Sequence, residues 1–225
     1  MKRTAAMVHY FSRQVQLFSP IVAEVMPDVE VFHMVDEGML RELQAGAELT
    51  ERMAHRLQTL ISFAQESGAE AVMVTGSSFG PLVPRIRDRV GVPVLRVDEA
   101  MADEAMRLGT NIGVLATAQA TVGPTTRLLQ ERADLAGKQV NIEMVLCDGA
   151  FAALQRNDYP AHDAMVKKEL KELVKRAEVV VLAQASIERI VAQLSDSEKP
   201  VPILASPRLG VRRLKEILDN LGGSH

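Results

Sequence analysis

Short runs of β-branched and other apolar residues alternate along the chain with longer stretches in which apolar residues recur every three or four positions. This alternation predicts a parallel sheet covered by helices, because parallel strands are buried on both faces. The pattern predicts strands at 4–9, 29–35, 71–75, 92–97, 112–116, 140–146, 179–183 and 201–205. It predicts helices at 14–25, 47–67, 80–89, 99–109, 121–136, 161–176, 186–195 and 208–221.

The two halves of the chain repeat each other. Residues 69–78 (AEAVMVTGSS) align with residues 177–186 (AEVVVLAQAS), an offset of 108 positions (177 − 69). The same offset sets His9, at the end of the first predicted strand, against Thr117. The alignment indicates that one unit of four strand–helix pairs has been used twice.

The repeat predicts an α/β fold with two pseudo-symmetric lobes, each a four-stranded parallel sheet flanked by helices. Lobe 1 is predicted at about 1–98 plus the C-terminal helix, and lobe 2 at about 110–205. The segment 99–109 and the C-terminal helix are expected to cross or cover the lobe interface. Ligands of open parallel sheets bind beyond the carboxyl ends of the strands. We therefore expect a ligand cleft between the lobes.

Composition and charge exclude several classes of partner. The 225 residues carry a formal net charge of −3, and no run of Lys and Arg is interleaved with aromatic residues, so nucleic acid is not expected as a partner. No uncharged apolar stretch reaches the roughly 18 residues of a membrane span, and the start of the chain does not look like a signal peptide. We expect a cytoplasmic protein without a membrane partner.

Cysteine usage limits the chemistry further. The single cysteine, Cys147, excludes an intramolecular disulfide, and no cluster of cysteines and histidines has zinc-ligand spacing. We therefore expect no metal and no cofactor.

Several segments along the chain resemble those of one known family. They are VDEGML (35–40), VMVTGSSFGP (72–81), GVLAT (113–117) with PT (124–125), GAF (149–151), VVLAQAS (180–186) and SPRLGV (206–211). Together with the duplicated unit, they make the chain similar, over nearly its whole length, to the aspartate/glutamate/hydantoin racemase superfamily. The resemblance implies removal and return of a proton next to a carboxylate by two cysteines, one at the end of the third strand of each lobe. It also implies a homodimer or higher homo-oligomer.

The chain departs from this pattern at both expected cysteine positions. Residue-by-residue transfer places the first cysteine at Gly76 and the second at Gln184. Glycine has no side chain, and a carboxamide is neither a useful base nor a nucleophile at neutral pH. Gly76 is either a natural difference or an introduced substitution. Either way, the chemistry disfavours two-cysteine racemisation.

Polar residues at the strand ends suggest a site for a carboxylate. Hydroxyls and backbone amides at Thr75, Ser77 and Ser78 follow a predicted strand and precede a predicted helix, where they can bind an anion. Ordinary helix capping by Ser78 or Thr121 is the alternative. Arg208, near the start of the last helix, is either a carboxylate partner or a surface charge. The predicted substrate-binding set is Thr75, Ser77, Ser78, Thr117, Thr121, Ala185, Ser186 and Arg208.

His9 is the best remaining candidate for a catalytic base, because it is the only histidine at a central strand end and imidazole titrates near neutrality. The alternative is that His9 contacts ligand or loop without taking part in chemistry. The repeat sets Cys147 against Asp36, so the thiol is interpreted as a small buried apolar group. Asp36 and Glu37 are interpreted as turn or cap residues. The other histidines, His33, His55, His162 and His225, are interpreted as structural or solvated.

Two hypotheses of function follow. The first is a cofactor-independent isomerase or racemase-like enzyme that acts on the carbon next to the carboxylate of a small acid, or a related lyase or decarboxylase. The second is a carboxylate-binding protein that has lost turnover. The sequence does not name the substrate.

Overall fold

The computed structural model describes residues 2–222, so His225 lies outside the described residues. Within this range the strands form two four-stranded sheets, and every strand pair is parallel. The strands are β1 (Arg3–His9), β2 (Val29–Val35), β3 (Ala71–Val74), β4 (Val94–Arg96), β5 (Asn111–Ala116), β6 (Asn141–Leu146), β7 (Val179–Leu182) and β8 (Ile203–Ala205).

Helices separate the strands in sequence. They are α1 (Arg13–Val25), α2 (Glu37–Gln44), α3 (Glu51–Glu66), α4 (Val83–Ile86), α5 (Glu99–Leu108), α6 (Gln119–Leu135), α7 (Ala150–Gln155), α8 (Tyr159–Leu173), α9 (Glu188–Val191) and α10 (Ser206–Gly222). Short 3₁₀ helices occupy Ser77–Leu82, Arg87–Arg89, Ala185–Ile187 and Asp196–Glu198. No helix in the part of the chain that the structure describes is both long and apolar enough to cross a bilayer.

The chain divides into two compact units. Unit 1 comprises Met1–Asp98 and Pro207–His225, and unit 2 comprises Glu99–Ser206. The sheet order is β2-β1-β3-β4 in unit 1 and β6-β5-β7-β8 in unit 2, so the same topology occurs twice. The predicted α/β class, with two four-stranded parallel sheets flanked by helices, is confirmed. The predicted cleft and the roles of 99–109 and the C-terminal helix at the interface stay predictions.

The core of unit 1 lies on both faces of its sheet, as the apolar strands require. Ala6 and Val8 of β1 face the α3 side and pack in one cluster with Leu57 and Ile61. The alternate residue Met7 packs on the opposite face with residues of α1 and α10. Helix α3 begins at Glu51 because the Thr50 side chain accepts a hydrogen bond from the Met53 amide at 3.3 Å.

In unit 2, a hydrophobic cluster lies between the sheet and helix α8. Leu115 of β5 and Val180 of β7 pack against the buried face of α8, which presents Val166, Leu170 and Leu173 at helical spacing. Helix α8 begins after Asp158, whose carboxylate accepts from the Ala161 amide at 3.2 Å. Each unit therefore has its own hydrophobic core between its sheet and its helices.

Four helical segments differ from the sequence predictions. The helix predicted at 80–89 is a 3₁₀ turn, one short α-helix and a second 3₁₀ turn, because Pro81 and Pro84 lack the N–H of a regular α-helix. The helix predicted at 186–195 is similarly short, ending at Val191. Two short helices, α2 and α7, were not predicted. Asp36 caps α2, which agrees with its interpretation as a cap residue.

The strand registers correct one part of the predicted repeat. His9 lies opposite Val35 of the neighbouring strand, as Ala116 lies opposite Leu146. His9 therefore corresponds to Ala116 at an offset of 107 (116 − 9), and the predicted pairing of His9 with Thr117 is wrong by one residue. Because these strands are apolar on both faces, their sequences show no alternation that fixes the register.

The register also identifies new counterparts. Tyr10, one residue after His9, corresponds to Thr117, one residue after Ala116. The third strands keep the offset of 108, since Val8 pairs with Val74 and Leu115 pairs with Leu182. Gly76 and Gln184, each two residues beyond these strand residues, are therefore counterparts, as the sequence predicts.

A glutamate at the beginning of the third strand links two strands in each unit. Glu70 accepts a hydrogen bond from the Thr4 amide at 3.1 Å, and Glu178 accepts one from the Asn111 amide at 2.9 Å. The two glutamates are 108 residues apart (178 − 70), and their amide partners are 107 apart (111 − 4). These contacts support the corrected register.

A buried ion pair lies at the end of β4. Arg96 Nε contacts Asp98 Oδ1 at 3.0 Å and Arg96 Nη2 contacts Asp98 Oδ2 at 3.1 Å, with the two side chains only 3% and 1% exposed. A Cβ at Gly80 would lie 2.5 Å from Arg96 Nε. Glycine at position 80 therefore leaves the space that the guanidinium fills.

Candidate functional site

In unit 1, three side chains form a hydrogen-bonded chain beside the strand ends. His9 Nδ1 lies 2.7 Å from Thr75 Oγ1, and His9 Nε2 lies 2.8 Å from His33 Nδ1. The Thr75 hydroxyl lies 3.2 Å from the Val8 carbonyl oxygen. All three contacts are hydrogen bonds if Thr75 donates to Val8, His9 Nδ1–H donates to Thr75, and His33 Nδ1–H donates to His9 Nε2. In this assignment His9 is neutral and no lone pair on its ring is free.

Burial decides the protonation state of this pair. Burial, with a smaller effect from the neighbouring His33, lowers the pKa of His9 to about 3, and burial also lowers the pKa of His33. Both imidazoles are thus neutral near pH 7. A catalytic role for His9 stays a prediction. It requires that the hydrogen bond between His33 Nδ1 and His9 Nε2 break. The observed contacts make His9 a positioning residue for Thr75.

These contacts predict a pH-dependent stability. Unfolded His9 binds a proton below its ordinary pKa of 6.5, whereas folded His9 stays neutral down to about 3. The unfolded state then binds more protons, so the free energy of unfolding falls as the pH falls through this window, by up to about 1.4 kcal/mol per pH unit for this group. Urea titrations between pH 7 and 5 should show a smaller decrease for His9→Gln than for wild type. An equal decrease in both proteins would contradict the assignment, and His55→Gln, at an exposed helix position, is the control.

The first expected cysteine position is filled by a neighbouring ring. A Cβ at Gly76 would lie 2.6 Å from Tyr10 Cδ2 and 3.3 Å from Phe79 Cδ2. Tyr10 is 2% exposed and stacks on Phe79 with 3.8 Å between the ring centroids. Burial, with a smaller contribution from Asp36, raises the pKa of the Tyr10 phenol. Tyr10 thus occupies the space that a side chain at position 76 would need.

Ser77 and Ser78 follow Gly76 in the first turn of the 3₁₀ helix, and both are half-buried. The N-cap residue of this helix is Gly76, so Ser78 does not occupy the position that the capping alternative requires. Within residues 2–222, neither hydroxyl has a hydrogen-bond partner. The two hydroxyls are therefore available to a ligand.

In unit 2, the second expected cysteine position carries a side chain that is firmly held. Gln184 Oε1 accepts hydrogen bonds from the Thr117 amide at 2.6 Å, the Thr117 hydroxyl at 3.0 Å and the Ala118 amide at 3.0 Å. Ala118 is the N-cap residue of α6. One carbonyl oxygen therefore accepts three donors at the β5–α6 junction, which is a set of donors typical of an anion site.

The remaining predicted residues of unit 2 lie at the same strand ends. Ala185 and Ser186 follow Gln184 in a short 3₁₀ helix and are half-buried. The Thr121 hydroxyl donates to the Ala118 carbonyl at 2.8 Å, so it serves the first turn of α6. Among the predicted binding residues of unit 2, Thr117 is thus the one whose amide and hydroxyl donate to the same atom, Gln184 Oε1, as the amide of its neighbour Ala118.

Other predicted residues have partners of their own. Arg208 binds both carboxylate oxygens of Glu24, at 2.6 and 2.8 Å, and its role toward a ligand stays a prediction. Cys147 is 2% exposed, and burial is the main cause that raises the pKa of its thiol to about 12. Asp36 is bound by Arg56 at 2.6 Å. Across residues 2–222, no group of three or more His, Cys, Asp or Glu side chains is arranged to hold a metal ion.

Sequence reasoning missed two residues of this region. Tyr10 was not singled out, because the register error set His9 against Thr117. His33 was interpreted as structural or solvated, because its contact with His9 arises only when β1 and β2 lie side by side. The sequence feature that could have indicated this contact is that the two histidines lie on consecutive predicted strands.

The duplicated four-stranded parallel unit, with hydroxyl and amide donors at the carboxyl ends of its strands, defines the class of protein. The family profile described as Asp/Glu/Hydantoin racemase matches residues 8–214. The chain therefore belongs to the Asp/Glu/hydantoin racemase family, and the predicted resemblance is confirmed. No curated protein matches the sequence significantly.

Solved structures of racemases share this fold. Glutamate racemase isoform RacE1 from Bacillus anthracis is 16% identical, with a TM-score of 0.75 over 99% of this chain and 84% of that chain. Allantoin racemase from Klebsiella pneumoniae is 14% identical, with a TM-score of 0.72 over 98% and 89%. An aspartate racemase homologue from Pyrococcus horikoshii OT3 is 14% identical, with a TM-score of 0.68 over 97% and 100%.

Proposed function

We propose that this protein binds a small carboxylate-bearing molecule and acts, without a cofactor, as an isomerase-type enzyme on the carbon next to that carboxylate. The observation that carries the proposal is the family match over residues 8–214. The similar structures are named for glutamate, aspartate and allantoin. The first two of these molecules carry a carboxylate next to the stereocentre.

The strand ends supply suitable donors for such a molecule. A carboxylate accepts hydrogen bonds and donates none, so it needs hydroxyl or amide groups without partners. The hydroxyls of Ser77 and Ser78 in unit 1 and of Ser186 in unit 2 meet this requirement within residues 2–222. In the alignment of the two halves, Ser78 and Ser186 are counterparts of each other.

A second candidate is a protein that binds the same carboxylate without turnover. Inversion at carbon needs a base on one face and an acid on the other. Gly76 has no side chain, Gln184 transfers no proton at neutral pH, and both ring nitrogens of His9 are engaged. These observations favour binding alone, whereas family membership favours catalysis.

Deuterium exchange separates the two candidates. The purified protein is incubated in D2O with single enantiomers of amino acids and hydantoins, and with substituted malonates and maleates, and the products are followed by NMR. Deuterium at the carbon next to the carboxylate supports the isomerase, and loss of CO2 from a malonate indicates a decarboxylase. Calorimetric binding without exchange supports the binder. Neither binding nor exchange with any compound contradicts both candidates.

Two further properties stay predictions. A cytoplasmic location is tested by fractionation of cells that express the chain, and assembly as a homodimer by light scattering at several concentrations.

A further inference from the structure

We propose that Gln184 determines ligand specificity: its Nε2 group donates a hydrogen bond to an acceptor oxygen of the ligand. Position 184 then recognises a carboxylate or carbonyl oxygen in place of transferring a proton. This proposal rests on the carboxylate binding proposed above. It adds that Gln184 is the residue of unit 2 that distinguishes one ligand from another.

The orientation of the Gln184 carboxamide is fixed by its neighbours. Three donors converge on Oε1, and two of them are the backbone amides of Thr117 and Ala118, which cannot act as acceptors. A flipped carboxamide would set the Nε2 hydrogens against both amides and lose these hydrogen bonds. Oε1 therefore lies toward the β5–α6 junction, and Nε2 lies on the other side of the amide carbon.

The Nε2 group is available. Gln184 is half-buried, and in the portion of the chain that the structure describes its Nε2 has no hydrogen-bond partner. Nε2 is not among the buried side-chain atoms that lack a partner, so its two N–H donors are accessible. An acceptor-only group of a ligand, such as a carboxylate, is suited to accept from them.

The surroundings of Gln184 also favour a negative charge. The three groups that contact its oxygen are all donors. Thr117 and Ala118, which supply them, directly precede the 17-residue helix α6, and the helix dipole is positive at this end. Ser186, two residues further on, adds a hydroxyl without a partner in residues 2–222. Among the residues that the structure describes, no carboxylate is a hydrogen-bond partner of Gln184. The site is thus rich in donors.

Unit 1 differs at the equivalent place. Its counterparts of Gln184 and Thr117 are Gly76 and Tyr10, and the Tyr10 ring fills the space next to Gly76. The Tyr10 amide donates instead to Gln14 Oε1 at 3.2 Å, but Gln14 Nε2 is engaged, because it donates to the Thr75 carbonyl oxygen at 3.2 Å. Of these two carboxamides, only that of Gln184 has an Nε2 group without a partner in the described residues. Discrimination between ligands that differ in acceptor groups should then depend on position 184 and not on position 76.

The decisive variant is Gln184→Glu, which has the same shape. One carboxylate oxygen still accepts from Thr117 and Ala118, but the other is an acceptor with negative charge where Nε2 was a donor. We expect a folded protein whose denaturation midpoint is not lowered and whose affinity for carboxylates is at least about tenfold weaker. Gln193→Glu is the matched control, because it makes the same charge change at an exposed glutamine of the same unit.

Affinities for succinate, aspartate and methylmalonate are measured by calorimetry, with succinamide as the neutral probe. Equal affinity of wild type and Gln184→Glu for the carboxylates overturns the inference while leaving carboxylate binding intact. Absence of binding to wild type overturns carboxylate binding itself, and the inference with it. The wild-type protein gives a second readout, since the ¹⁵N–¹H signals of the Gln184 side chain should shift on titration with succinate. Saturation without that shift also overturns the inference.

Discussion

Gly76→Cys alone is expected to give a destabilised protein that gains no two-cysteine racemisation. The new Cβ would lie 2.6 Å from Tyr10 Cδ2, and Tyr10 is held by its stacking on Phe79. Inserting atoms into a packed core costs about 1–3 kcal/mol, so the denaturation midpoint should fall. Two-cysteine racemisation should not appear in this variant, because Gln184 provides no second thiol. Gly76→Ala is the matched control, since it adds the same Cβ without sulfur and should be destabilised to a similar extent.

A double-mutant cycle tests the cause of this effect. Tyr10→Ala removes the ring that opposes position 76, at a cost of about 3–5 kcal/mol for the lost aromatic side chain. In this background Gly76→Ala should be much less destabilising than in wild type, and urea denaturation measures the difference. If the cost of Gly76→Ala is the same with and without Tyr10, the ring is not the obstacle. Racemase activity in the single Gly76→Cys variant would show that the site needs one thiol only.

Asp98→Ala is expected to be strongly destabilising. It removes the carboxylate that two guanidinium nitrogens of Arg96 contact, and both side chains are almost fully buried. Breaking a buried ion pair in this way costs about 3–5 kcal/mol. Equilibrium urea denaturation measures the loss.

The matched comparison replaces both members of the pair. Arg96→Met combined with Asp98→Leu removes both charges and should recover much of the stability lost in Asp98→Ala, because no buried charge is left without its partner. A loss below about 1 kcal/mol for Asp98→Ala would show that water or another group replaces the carboxylate. Asp88→Ala, in the neighbouring 3₁₀ turn, controls for loss of an acidic residue.

The sequence was sufficient for the fold because its signals are local or repeated. Alternation of apolar runs with helical periodicity predicts the parallel sheets, and the alignment of 69–78 with 177–186 predicts that they occur twice. The same alignment identifies Gly76 and Gln184 as counterparts, which the registers of β3 and β7 support. These conclusions need no knowledge of side-chain contacts.

The details of the site could not be predicted, because they depend on contacts between distant residues. The one-residue error at His9 arose in a strand that is buried on both faces, where neither face is marked by polar residues. That error hid Tyr10 as the counterpart of Thr117. The contact of Gln184 with Thr117 joins residues 67 positions apart, and only the folded backbone brings its oxygen to both amides.

The paired glutamates at the beginning of β3 and β7 have a consequence for how this protein tolerates change. Glu70 and Glu178 lie at the amino ends of their strands, whereas residues 75–78 and 184–186 lie beyond the carboxyl ends. In a saturation mutagenesis library scored for both cellular abundance and ligand preference, the substitutions should therefore fall into two groups. One group lies at the amino ends of the strands and the other beyond their carboxyl ends. Changes at one end should alter how much protein accumulates, and changes at the other end should alter what it selects.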